Sequence, residues 1–78
     1  MREKTLKYLM TFHTTSGAIA MEKYCKEASA PGRLIPVPRQ ITAGCGMAWC
    51  SLPEKKGEAQ SVAREHKLDV DGEYELMI

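Results

Sequence analysis

The chain reads as an α+β domain of the ferredoxin-like type, βαββαβ, with two helices on one face of a four-stranded antiparallel sheet. Three features predict it. Lys7-Tyr8-Leu9-Met10-Thr11-Phe12 is nearly continuously apolar, as a covered central strand is. Two stretches with small and apolar residues at spacings of three and four separate the strand-like runs in the right order. A length of 78 residues, with 44% hydrophobic and 27% charged, supports one soluble domain, 1–78, and no more.

The elements follow in order. After the first strand, His13-Thr14-Thr15-Ser16 is rich in side chains that cap helices. The spacing predicts a helix over about 16–28, with Ala18, Met21, Cys25 and Ala28 on its apolar face and Tyr24 beside it. Ala30-Pro31-Gly32 stops it. Arg33-Leu34-Ile35-Pro36-Val37 reads as an edge strand, because Pro36 and Pro38 cannot donate to a ladder. Residues 39–46 form an irregular connection, and Met47-Ala48-Trp49-Cys50-Ser51-Leu52 a third strand. Alternation puts Met47 and Trp49 on one face and Ala48 and Cys50 on the other, without saying which lies under the helices. Pro53 suits the first turn of a second helix, whose thin apolar face is Ala59, Val62, Ala63 and His66. Gly57 weakens that first turn by about 1 kcal/mol and argues for a later start. Asp69 to Gly72 is a turn, and 73–78 the last strand.

Composition excludes several function classes. The net charge of +1 is spread evenly, and neither Lys4-Thr5-Leu6-Lys7 nor Glu54-Lys55-Lys56 makes a basic patch for nucleic acid. No apolar run approaches the roughly 20 residues that span a bilayer. Met1-Arg2-Glu3-Lys4 has no signal-peptide character. Three cysteines, an odd number, make a disulfide framework a poor reading and point to a reducing cytoplasm.

The cysteines carry the chemistry. Cys45 lies between Gly44 and Gly46, where the backbone can turn sharply and amides can approach the sulfur. That suits an exposed, stabilised thiolate, although a Gly-Cys-Gly turn also arises where the backbone alone needs positive φ. Cys25, on the apolar helix face, reads as core. Cys50 is a possible second thiol or a packed sheet residue. His13, at the end of the first strand, is placed either to orient a ligand or donate a proton, or to satisfy a local hydrogen bond. His66 falls near a helix C-terminus, where it meets the dipole. A zinc site from Cys25, Cys45, Cys50 and His13 lacks paired CxxC spacing, so no metal is expected, and no cofactor motif is present.

With these motifs placed, the chain resembles a bacterial family described as selenium/sulfur carrier protein-like. The resemblance rests on Tyr8-Leu9-Met10-Thr11-Phe12-His13-Thr14-Thr15, Glu22-Lys23, Leu34-Ile35-Pro36-Val37-Pro38-Arg39 and Cys45-Gly46-Met47-Ala48, and it runs on to Gly72-Glu73-Tyr74. It implies a compact βαββαβ domain with one functional cysteine, Cys45, and Arg39 in the same site. Cys50 is not part of that pattern. A carrier thiolate attacks a donor persulfide and holds the transferred atom as a persulfide or selenylsulfide. Amides around Cys45, the Arg39 charge and the Thr42 hydroxyl would stabilise it. The implied partners are donor and acceptor proteins.

Two other readings stand beside it. One is an interaction or regulatory module anchored on Trp49, the only tryptophan. The other is a thiol-redox protein using Cys45 and Cys50. A bare sheet face would also allow a homodimer.

Overall fold

The computed structural model describes residues 5–41 and 46–78. Its elements are β1 (Leu6–Phe12), α1 (Thr15–Glu27), β2 (Arg33–Pro36), β3 (Met47–Ser51), a 3-10 turn (Pro53–Lys55), α2 (Lys56–Glu65) and β4 (Val70–Met77). The four strands form one sheet in the order β2-β3-β1-β4, all pairs antiparallel. This is the ferredoxin-like α+β arrangement that the sequence predicts.

From Tyr8 to Phe12, β1 is buried on both of its faces. Tyr8, Met10 and Phe12 project into the helix-side core, with Ala18, Met21 and Cys25 of α1, Trp49 of β3, and Ala59, Val62 and Ala63 of α2. The β1–β3 register sets Met10 opposite Trp49, which decides the orientation of β3. Met47 and Trp49 lie under the helices, and Ala48 and Cys50 on the back of the sheet.

The back face is covered at the centre of the sheet. Leu9, Thr11 and Ala48 are completely buried there, and Tyr74 lies across Gly72, whose missing side chain leaves room for the ring. Ile41, in the β2–β3 connection, is also buried but is not part of the helix-side cluster. The centre of the sheet therefore offers no open apolar face for self-pairing.

The local signals account for most boundaries. The Thr14 hydroxyl caps α1 by accepting from the Gly17 N–H at 3.1 Å, so the helix starts one residue before Ser16. It ends at Glu27, which leaves Ala28 exposed as its cap rather than on the apolar face. Ser29 and Lys67 take left-handed backbone (φ 58° and 52°) just past the two helices, a position where glycine is more usual. Pro53 opens a 3-10 turn, and regular helix begins only at Lys56, beside Gly57.

The last strand starts earlier than the predicted 73, at Val70. Phe12 pairs with Val70 and Thr11 with Gly72, so Asp71 is the extra residue of a β-bulge. The bulge lets a polar, glycine-containing stretch join the ladder. Beyond it, Glu73 and Glu75 lie opposite Met10 and Tyr8 on the helix side of an edge strand. Their carboxylates are taken up rather than stranded. The Tyr8 hydroxyl and the Gln60 amide both donate to Glu73, and Lys56 Nζ meets Glu75 at 2.9 Å. The hydrogen bond from Tyr8, then that from Gln60, holds the Glu73 carboxyl below its usual range. Burial first, then the bond to Glu73, pushes the Tyr8 phenol up.

Gly32 tests the packing at the start of β2. Its φ is +141°, and a Cβ there would stand 2.7 Å from Cε2 of Trp49 and 2.8 Å from the Cys50 carbonyl oxygen. Gly32→Ala combines strain with overpacking and is expected to lower stability by about 1–3 kcal/mol in urea unfolding.

Candidate functional site

Of the site residues read from the sequence, His13 and Gly46 lie at one end of the sheet. There β1 finishes at Phe12, β4 starts at Val70, β3 starts at Met47 and β2 finishes at Pro36. The capped N-terminus of α1 lies at the same end, directly after His13 and Thr14. The Val37 N–H donates to the Gly46 carbonyl at 3.0 Å and closes the mouth of the β2–β3 connection. The Ile41 N–H donates to the Pro38 carbonyl at 3.0 Å and turns the chain just inside it.

Gly46 has φ +77° and nothing within 4 Å of where a Cβ would stand. Glycine is needed there for its backbone angle, not for space. Cys45, its neighbour, lies outside the described residues, as do Thr42 and Gly44. Arg39 is exposed on the same connection, three residues past β2. Extending the β1–β3 register past Thr11–Ala48 brings His13 level with Gly46 along the strands.

His13 is held by two carboxylates that the sequence reading left in a turn. Its Nδ1 lies 2.6 Å from Asp69 Oδ1, and its Nε2 lies 3.1 Å from Asp71 Oδ1. Its backbone N–H donates to the Asp69 carbonyl at 3.2 Å. The bulge explains the pair. It puts Val70 opposite Phe12 and leaves Asp69 and Asp71 on either side, at the height of His13. The local hydrogen-bond role is thus met in full. The only trace in the sequence was the Asp-x-Asp spacing at the predicted turn, which reads equally as ordinary turn chemistry.

The other two cysteines sit in poor places for a thiolate. Cys25 is wholly buried in the helix-side core, and burial pushes its thiol up to about 11. Cys50 is half-buried on the back face, paired across to Leu9 and Arg33. Burial raises its thiol, and the nearby Lys7 and Arg33 charges offset this only in part. Trp49 is 3% exposed beneath the helices, so the surface anchor considered for it is overturned. The alternation that put Trp49 opposite Cys50 was correct, but a lone tryptophan on a strand carries no mark of which face is covered. His66 caps α2 and stacks on Tyr24 with ring centroids 3.7 Å apart, joining the two helices. Among the described residues, no group of three or more His, Cys, Asp or Glu could hold a metal ion.

The Asp69 hydrogen bond raises the His13 pKa against a small opposing effect of desolvation, and the Asp69 and Asp71 charges add to the rise. His13 is therefore expected to titrate above the usual histidine range of about 6.5. Asp69→Asn lowers that midpoint, as read by NMR of the imidazole. The protonated pairing contributes its full stability below about pH 6.5, the unfolded-state value, and loses it as pH rises through the raised folded-state value. His13→Gln abolishes that decline.

No curated protein and no solved structure matches the chain. Residues 7–75 match the family described as "Putative Se/S carrier protein-like". The match runs from β1 into β4 and takes in both helices and the whole β2–β3 connection. The match covers most of the chain, and this chain belongs to that family.

Proposed function

We propose that the protein accepts sulfur or selenium on Cys45, holds it as a persulfide or selenylsulfide, and passes it to an acceptor protein. The observation that carries this reading is the environment of the other thiols. Of three cysteines, Cys25 is locked in the core and Cys50 is raised by burial. Cys45 is joined to Gly46, whose positive φ stands at the mouth of an exposed connection that also bears Arg39. The family description supplies the cargo.

The transfer balances without an external oxidant. The Cys45 thiolate attacks the outer sulfur of a donor Cys–S–SH. A new S–S bond forms at Cys45, the donor S–S bond breaks, and the donor cysteine leaves as a thiolate with its electron pair. Selenium transfers in the same way from a donor Cys–S–SeH. Release to the acceptor is the same exchange in reverse. In this scheme Arg39, Thr42 and the amides of Gly44 and Gly46 lower the thiol pKa. The protein works in the cytoplasm with a persulfide-bearing donor and a thiol acceptor as partners. No helix among the described residues is long and apolar enough to cross a membrane.

Burial raises the Cys50 thiol, which favours a single working thiol over a Cys45–Cys50 couple.

Intact mass after incubation with a cysteine desulfurase and either cysteine or selenocysteine, which load the donor enzyme as Cys–S–SH or Cys–S–SeH, tests the reading. Wild type is expected to gain about 32 Da or about 80 Da per site, reversibly by thiol. Cys45→Ser is expected to gain nothing, while Cys50→Ser loads normally. Alkylation of Cys45 should reach half its limiting rate below pH of about 8.5. Loading that survives Cys45→Ser would sink the proposal.

A further inference from the structure

The strand registers bring together, on the back of the sheet, three side chains that carrier chemistry on Cys45 does not use. Cys50 of β3 stands directly opposite Arg33 of β2 and Leu9 of β1. Lys7 lies two residues before Leu9 on β1, so it belongs to the same face, diagonal to Cys50. β3 runs between β2 and β1, which sets the thiol between the two cations. Lys7, Arg33 and Cys50 line one cleft of about 320 Å³, together with the exposed apolar side chain of Leu52. Among the described residues, no carboxylate lines this cleft, and neither cation is held in an ion pair. Both positive charges act on the Cys50 sulfur, against the burial that raises its thiol. Unpaired charges of one sign around a half-buried thiol make a field that sorts what approaches the sulfur.

We propose that Cys50 is a modification site selective for small anionic disulfides. A disulfide bearing carboxylates enters the cleft, its acid groups pair with Arg33 and Lys7, and one half of it is captured on Cys50 as a mixed disulfide. The Cys50 thiol gives its proton to water, and the thiolate attacks the nearer sulfur of the disulfide. A new S–S bond forms at Cys50, the original S–S bond breaks, and the other half leaves as a thiolate with the electron pair. The disulfide is itself the oxidant: Cys50 is oxidised and the departing half is reduced. Negative charge spreads over the reacting sulfurs during this exchange, where the same two cations stabilise it. A planar guanidinium matches a carboxylate with two parallel hydrogen bonds, and the ammonium adds a point charge. The volume suits one arm of a small acid, not a large cofactor. Burial keeps Cys50 slow towards uncharged reagents, so the field decides which partner it takes. The site is independent of Cys45, and the proposal holds or fails whatever that thiol does.

The test uses the Cys45→Ser protein and three reagents: dithiodipropionate, a dianion; hydroxyethyl disulfide, which is neutral; and cystamine, a dication. Peptide mass assigns each adduct to Cys50. Each rate is divided by that of the same protein unfolded in urea, which removes the reagents' own reactivity. The normalised rate is expected to be about tenfold or more higher for dithiodipropionate than for hydroxyethyl disulfide, and lowest for cystamine. Sodium chloride at about 1 M should erase most of that preference. Lys7→Gln with Arg33→Gln should level the three reagents. Lys7→Glu with Arg33→Glu should turn the preference towards cystamine, a reversal that misfolding cannot produce. Equal normalised rates for the three reagents in the Cys45→Ser protein overturn the proposal, as does a preference that survives removal of the two charges or the absence of any adduct on Cys50.

Discussion

Everything in this domain depends on β1 being covered on both faces. Most two-layer α+β domains of this size leave the far side of the sheet wet, and their strands alternate accordingly. Here Tyr8, Met10 and Phe12 are closed off by the two helices, while Leu9 and Thr11 are equally closed off from behind. On that side Tyr74 lies over Gly72, and Ala48 of the neighbouring strand is buried alongside. A domain with so little interior gains much from it, because each buried side chain is a large share of a narrow stability margin.

That arrangement ties the site to the core. The β2–β3 connection is long for a hairpin and would be loose if it ran freely through solvent. It is instead pinned at its mouth by the Val37–Gly46 hydrogen bond and part-way along by a buried isoleucine. Ile41 and Gly46, on either side of residues 42–45, are thus both fixed to the sheet. A carrier has to present its cargo to two successive proteins, so a reproducible position matters more than an enclosing pocket.

Much of the fold was legible because its signals are local. The continuous apolar run at 7–12, the Thr-rich cap before α1, the prolines of β2 and the glycine near the start of α2 each report on their own neighbourhood, and each gave a boundary within a residue or so. What stayed hidden depends on pairing. Nothing in Asp69-Val70-Asp71-Gly72 distinguishes a turn from a bulged strand until Phe12 and Thr11 are placed beside it. The two aspartates gripping His13 were invisible for the same reason. Trp49 and Cys50 could be set on opposite faces by alternation, but which face lay beneath the helices came only from the register with Met10. For the site itself, Gly46 was legible as glycine backbone freedom, while Arg39 entered only through the family resemblance. The surroundings of Cys45, Thr42 and Gly44 lie outside the described residues.

The strand order has a further consequence for how the molecule is made. β1 is central, yet one of its two neighbours is β4, and the ladder between them joins Leu6 to Met77. A ribosome delivers β1 first and its partner last. Until residues 70–77 have emerged, the most apolar strand of the domain has one edge without a mate, and the Tyr8 hydroxyl lacks the carboxylate that receives it. Folding of the sheet must therefore wait for the end of this segment, and the non-local closure makes that step slower than helix formation. During that interval the nascent strand depends on its own brevity, and on chaperones, to escape mispairing.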